Sequence, residues 1–213
     1  MTGARPGRLV VVTGTGTEVG KTWWCAAVAR ALRARGLDVA VRKPVQSFSA
    51  DDASTDADVL GAATGETPDA VCPTRRWIAV PLAPPMAAAA LGLPPFTVAD
   101  LARELAWPGD RHLDVGLVEG AGGLRSPLAD DGDTLTLVAA LAPDDVVVVA
   151  DAALGVVHSV RMVRDALGDR RVTVALNHFD PDDRAHRASR DWLVERDGVD
   201  LVTSPEELAG RWA

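Results

Sequence analysis

The run Gly14-Thr15-Gly16-Thr17-Glu18-Val19-Gly20-Lys21-Thr22 has the composition of a phosphate cradle. It follows the apolar stretch Leu9 to Val12 and leads into a helix-forming segment, so a glycine-rich turn between a strand and a helix N-terminus is expected. In that setting the backbone N–H groups of the turn and the positive end of the helix face an anion. Lys21 adds a mobile charge for the outer phosphates and the Thr22 hydroxyl can ligate Mg²⁺. Thr17, Glu18, Val19 and Gly20 complete the part of the loop expected to face a nucleotide. The spacing from Gly14 to Gly20 is one residue longer than the usual P-loop.

A second lysine is conspicuous by scarcity, because of 22 basic residues only Lys21 and Lys43 are not arginine. Lysine offers a compact point charge that the planar guanidinium does not reproduce. Lys43 follows the strand-like Asp38 to Arg42, and Pro44 stops the strand. It is thus expected at the C-terminal edge of a parallel sheet, where ligands bind. Glu119 closes another apolar run, Asp114 to Val118, and precedes Gly120-Ala121-Gly122-Gly123, a pattern that suggests a metal-binding carboxylate and a backbone held close to a ligand. Asp51, Asp52, Asp56 and Asp58 crowd the start of a helix, where each is either a cap or a metal ligand. Asn177 ends the strand-like Val172 to Leu176 with one donor and one acceptor to offer a base edge.

The elements that must position these groups alternate along the chain. Strands are expected at 9–13, 38–42, 114–118, 145–150, 172–176 and 199–202, with helices between them. This pattern implies an α/β fold with a doubly wound, mainly parallel sheet and helices on both faces. At 213 residues it suits one domain spanning 1–213, with 1–8 a flexible lead-in. The net charge of −8 argues against a nucleic-acid or anionic-membrane surface. No apolar run is long enough to span a bilayer, and Cys25 and Cys72 lack metal or redox spacing, so a cytoplasmic protein is expected. Together the residues suit ATP- and Mg²⁺-dependent phosphoryl transfer rather than nucleophilic-triad chemistry.

Gly14 to Thr22, Lys43-Pro44-Val45-Gln46-Ser47, Asp56, Pro81 to Ala88, Val118 to Gly123 and Leu154-Gly155 occur in the order found in the dethiobiotin synthetase family of the biotin pathway, which the chain resembles over roughly residues 9 to 160. The longer P-loop is a trait of that family. The resemblance implies a P-loop NTPase fold and a homodimer converting 7,8-diaminononanoate, CO₂ and ATP into dethiobiotin through a phosphorylated carbamate. It further implies Lys21 and Lys43 at the γ-phosphate and carbamate, Thr22, Asp56 and Glu119 at Mg²⁺, and Asn177 at the base. Ser47, Gly122, Gly155 and His158 would bind the substrate, with the segment at Gly155 reaching its carboxylate tail across the dimer.

Three positions depart from that family's pattern. Gly16 stands where many members have Asp, Phe48 where glycine is usual, and His158 where asparagine is expected. The last two motivate an alternative, a drifted relative with another substrate. A partitioning-type switch ATPase would carry a lysine before Lys21, and this chain has none there. A corrin amidating ligase would continue into a glutaminase domain beyond Ala213. A strand-end lysine adds little to packing, so Lys43→Ala is expected to abolish turnover and leave the fold intact. Glu119→Gln is expected to weaken Mg²⁺ dependence more than stability.

Overall fold

Valine-rich runs buried on both faces build the sheet. The computed structural model describes residues 3–212, in the order β1 (Arg8–Gly14), α1 (Lys21–Ala34), β2 (Val39–Arg42), β3 (Gln46–Ser47), α2 (Asp56–Thr64), α3 (Pro68–Val71), a 3₁₀ turn (Thr74–Arg76), β4 (Trp77–Ile78), α4 (Pro84–Ala90), α5 (Val98–Glu104), β5 (Val115–Glu119), β6 (Pro127–Ala129), β7 (Gly132–Asp133), α6 (Thr134–Leu141), β8 (Asp145–Asp151), α7 (Val156–Leu167), β9 (Val172–Asn177), α8 (Arg184–Glu195), β10 (Leu201–Val202) and α9 (Pro205–Gly210). Six strands form the main sheet in the order β10-β9-β8-β1-β5-β2, all parallel.

Alternate residues of each strand enter opposite cores, as the two-residue pleat demands. Leu9 and Val11 of β1 join Val118, Val146, Val148 and the apolar faces of α4 to α7. Val10 and Val12 join Val115, Leu117 and the inner faces of α1, α2 and α9, with Trp24, Val28 and Leu32 all under 4% exposed. Cys25 and Cys72 are part of this second core, and burial pushes both thiols up, Cys72 to about 12, so they behave as small apolar residues.

The sheet levels the candidate groups. In the register, Val12 of β1 lies beside Glu119 of β5, and Arg42, immediately before Lys43, lies beside Val118. The helix after β1 packs on one face and the helix after β5 on the other. The carboxyl ends of these neighbouring strands therefore border a crevice, the place where open α/β sheets bind ligands.

Three local features differ from the sequence reading. Gln46–Ser47, outside the strands expected from sequence, pairs in parallel with Trp77–Ile78 on a separate ledge after the Lys43-Pro44 turn. Pro127–Ala129 and Gly132–Asp133 form a small antiparallel hairpin after the glycine turn. Of the expected flexible lead-in, Met1 and Thr2 lie outside the described residues, whereas Gly3 and Gly7 donate backbone hydrogen bonds to Trp107 and Leu113 at 2.9 and 2.8 Å. Among the described residues no helix is long and apolar enough to cross a membrane.

Leu32 is fully buried between α1 and the sheet. Leu32→Ala is expected to cost about 2–5 kcal/mol in urea unfolding. Thr97, which caps α5 through the Asp100 N–H, is expected to cost about 1 kcal/mol when replaced by alanine.

Candidate active site

The Gly14-to-Thr22 loop turns over the C-terminal end of β1 and enters α1 at Lys21. Thr15 N–H donates to Val149 O at 3.0 Å and Leu124 N–H to Gly14 O at 3.0 Å, which fastens the loop to β8 on one side and to the glycine turn after β5 on the other. Gly20 has φ 92°, and a Cβ there would lie 2.2 Å from Asn177 Nδ2, so the final turn into the helix requires glycine. At Gly16 an added Cβ would meet only Val19 Cγ1, at 3.8 Å, so the backbone at this position does not itself require glycine.

Lys43 is the centre of the site. It is 2% exposed, and its three N–H protons have three acceptors: Glu119 Oε1 at 2.6 Å, Asp56 Oδ2 at 2.7 Å and Gly120 O at 3.1 Å. Burial alone would lower its pKa, but the Glu119 and Asp56 carboxylates outweigh that and hold the ammonium charged above its ordinary range. Burial pushes the fully buried Glu119 carboxyl up, with Lys43 pulling against it. At Asp56 burial is overcome by Lys43 and by hydrogen bonds from Lys43 and Thr22, and its pKa falls. Lys21 donates to Gly16 O at 2.9 Å, and burial together with the Lys43 charge lowers it to about 8.

Thr22 Oγ1 lies 2.9 Å from both Asp56 Oδ1 and Glu119 Oε1. One hydroxyl proton can serve only one of these acceptors at a time, and the buried Glu119 Oε2 has no partner at all. The cluster thus holds more oxygen lone pairs than protons. A hydroxyl and two carboxylates form an all-oxygen set that suits a hard divalent cation such as Mg²⁺. Thr22, Asp56 and Glu119 are the residues that would hold it.

The acidic cluster also sorts itself. Asp58 closes a capping box with Thr55, and Asp52 accepts from Ser49 N–H at 2.8 Å. Asp56 alone turns to Thr22 and Lys43. Gln46, buried and sequence-unique, accepts the Ala57 N–H at 3.0 Å and so pins the helix start that carries Asp56. Its place in the Lys43-to-Ser47 run marked it beforehand, without showing what it holds.

These groups form the polar end of a cleft of about 970 Å³. Thr17, Glu18, Gly20, Ser47, Gly122 and Ser126 line its sides, and Phe48, Trp23 and the Pro81–Pro84 segment give it an apolar wall. Phe48 packs edge-on to Trp77, with centroids 6.4 Å apart, and Trp77 in turn donates Nε1–H to Cys72 O at 2.8 Å. Phe48 was marked by its place directly after the Lys43–Ser47 run, whereas Trp23 carried no signal that would assign it to this wall.

Other expected residues lie elsewhere. Val19 is buried beneath the loop and offers its carbonyl to Asn177. Gly155 and His158 are exposed at the start of α7 and line no part of this cleft, because β8 carries them to the other side of β1. The glycine turn after Glu119 approaches the protein's own backbone: a Cβ at Gly123 would stand 3.2 Å from Gly16 Cα. Asn177, expected at a base edge, is 6% exposed and bonded to the loop and α1.

A parallel α/β sheet with a glycine-rich loop, Lys21 and Thr22 at the first helix defines a P-loop nucleotide-binding protein. A family model described as an AAA domain matches residues 8–202. The ATP-dependent dethiobiotin synthetase BioD of Rhodococcus jostii is 39% identical over 209 residues, covering 96% of this chain and 89% of that protein. That of Anaeromyxobacter dehalogenans is 42% identical over 183 residues, covering 83% and 79%, and that of Mycobacterium tuberculosis 40% over 169 residues, covering 78% and 72%. The chain belongs to the ATP-dependent dethiobiotin synthetase family. The signal recognition particle receptor FtsY of Elizabethkingia anophelis superposes with a TM-score of 0.55 at 16% identity, covering 99% of this chain and 67% of that one, a likeness of fold.

The geometry corrects the expectation that Lys43 can be removed without structural cost. Its loss leaves Glu119, 0% exposed, without its countercharge. Lys43→Met is expected to destabilise the protein by about 3–5 kcal/mol in chemical unfolding, and adding Glu119→Gln should recover much of that. Equal stability of Lys43→Met and the native chain would refute the coupling.

Proposed function

We propose that this protein forms dethiobiotin from 7,8-diaminononanoate, CO₂ and ATP, with Mg²⁺, as a cytoplasmic homodimer. The supporting observation is the convergence of Lys21, Thr22, Lys43, Asp56 and Glu119 at one end of a cleft whose other wall is apolar. A charged triphosphate suits the first end and an alkyl diamine the second.

One substrate amine adds to CO₂ and loses a proton, giving a carbamate. A carbamate oxygen then attacks the γ-phosphorus and ADP leaves, producing a carbamic–phosphoric anhydride. The second amine attacks its carbon, phosphate departs, and the ureido ring closes with loss of a proton. Lys21 and Lys43 neutralise the charge that gathers on the transferred phosphoryl group and the carbamate, which is where a preorganised site gains most. Bound Mg²⁺ would add charge neutralisation on the phosphate oxygens. Thr17, Glu18, Ser47 and the backbone at Gly122 orient the reacting head, and the pocket wall keeps water from the anhydride.

Leu154 is 99% exposed next to Gly155 and His158. In this reading that surface meets a second copy, which brings Gly155 and His158 to the substrate's carboxylate tail.

The first assay is dethiobiotin formation by purified protein, followed by mass, with ATP, Mg²⁺, bicarbonate and diamine omitted in turn. Product that requires every component is the expected result; nucleotide turnover indifferent to the diamine would overturn the substrate assignment. Phe48→Gly should raise the diamine KM severalfold with the ATP KM unchanged, because the ring packs on Trp77 and adds apolar surface to the cleft. Leu154→Arg should shift the protein toward monomer in light scattering and lower activity with it.

A further inference from the structure

Of the three residues suited to a cation, Asp56 is the one that neither the P-loop nor a strand of the main sheet delivers. Thr22 follows the loop directly and Glu119 ends β5, whereas Asp56 opens α2 after the exposed stretch 50–54. Three kinds of contact hold it there. Thr22 Oγ1 and the Lys43 ammonium meet its carboxylate at 2.9 and 2.7 Å. Thr55 and Asp58 close a capping box, which fixes the shape of the helix's first turn but not its place in the molecule. The third contact is Gln46, whose Oε1 accepts the Ala57 N–H at 3.0 Å.

Only the third leaves the site's own groups free. Thr22 Oγ1 and the Asp56 oxygens are atoms a divalent cation would take, and Lys43 is assigned to the phosphoryl group and the carbamate, so bound ligands compete for each of them. Gln46 touches none of these atoms: it is 1% exposed, pairs with Trp77 in the β3–β4 ledge, and bonds a first-turn N–H that has no acceptor inside the helix. Among the described residues it makes the only hydrogen bond or ion pair that ties the start of α2 to another element without using a site group. An N–H can only donate, so the carbonyl of Gln46 faces Ala57, and its buried Nε2 has no acceptor among the described residues. A donor buried in that way is a cost that an apolar side chain of the same length would not carry. What Gln46 holds in place explains it better than what it adds to the fold.

We propose that Gln46 is a positioning residue for the metal: through the Ala57 N–H it keeps the Asp56 carboxylate placed for a divalent cation shared with Thr22 and Glu119, whatever Thr22 and Lys43 engage. This rests on the Mg²⁺ and triphosphate site proposed above. The P-loop does not depend on Gln46, since Val149, Leu124 and Asn177 fasten it. The nucleotide's own grip on the loop is therefore separable from the metal's.

The test titrates Mn²⁺, which takes the same oxygen ligands as Mg²⁺, into the protein with equimolar ADP and reads free Mn²⁺ by electron paramagnetic resonance. ADP binding in EDTA and urea unfolding accompany it. Gln46→Met, which matches the length and removes the acceptor, should raise the Mn²⁺ Kd about tenfold or more, the loss usual when a metal ligand's support is removed, with the metal-free ADP Kd within about twofold and the urea midpoint near that of the native chain. In an Asp56→Ala background the same change should move the Mn²⁺ Kd by less than about twofold, because no carboxylate is left to position. Gln46→Glu keeps an oxygen for the Ala57 N–H and should hold the native Mn²⁺ affinity or improve it; this variant decides the matter if Gln46→Met does not fold. Native Mn²⁺ affinity in Gln46→Met, an equal loss with and without Asp56, or a loss of about tenfold in Gln46→Glu overturns the proposal. If the native complex binds no Mn²⁺, the metal reading falls and this proposal falls with it. The titration contains no diamine, so a failed substrate assignment leaves the proposal standing.

Discussion

The ammonium of Lys43 is the contact on which the site depends. Glu119 lies entirely inside the protein, where an uncompensated carboxylate is costly, and Lys43 is the group that makes its burial tolerable. The same ammonium holds Asp56 and the Gly120 carbonyl, so one charge joins the ends of β2 and β5 to the start of α2. The residue proposed for the chemistry is thus also one on which the fold leans. A positive charge that already sits among the acidic oxygens is also where charge on a transferred phosphoryl group would be met.

Around that contact the fold acts as a levelling device. Parallel pairing sets Val12 beside Glu119 and Arg42 beside Val118, which brings the P-loop, Lys43 and Glu119 to one height at the sheet's edge. Neither the long connection from β2 to β5 nor the strand order is local, yet right-handed crossovers leave few ways to arrange such elements. The opposite wall of the cleft has a different origin. Phe48 is held by Trp77 across the short β3–β4 ledge that follows the Lys43-Pro44 turn.

The P-loop itself is fastened from several directions. Val149 and Leu124 bond its near end, the glycine turn after Glu119 packs on Gly16, and Asn177 with Trp24 secures its exit into α1. A cradle made of backbone N–H groups is useful only if those groups stay aimed at the anion. The polar side chains beside it therefore hold the loop's shape.

The amino-acid sequence by itself determined the alternation of strands and helices and the phosphate loop, and it singled out Lys43, Thr22 and Glu119, which the fold brings together. Those signals are local: a valine run, a glycine spacing, a lysine or an acid at a strand's end. Tertiary structure alone decided which aspartate among four meets Thr22 and Lys43, that Lys43 cannot leave without exposing a buried charge imbalance, that Phe48 and Trp23 form a wall, and that Gly155 and His158 stand apart from the cleft. It also decided what Asn177 touches. Trp24 and Asn177 are 153 residues apart, and nothing in either neighbourhood says that they meet. A side chain's hydrogen-bonding capacity is written in its residue type, but what occupies that capacity depends on strand order and helix packing, which only the folded chain supplies.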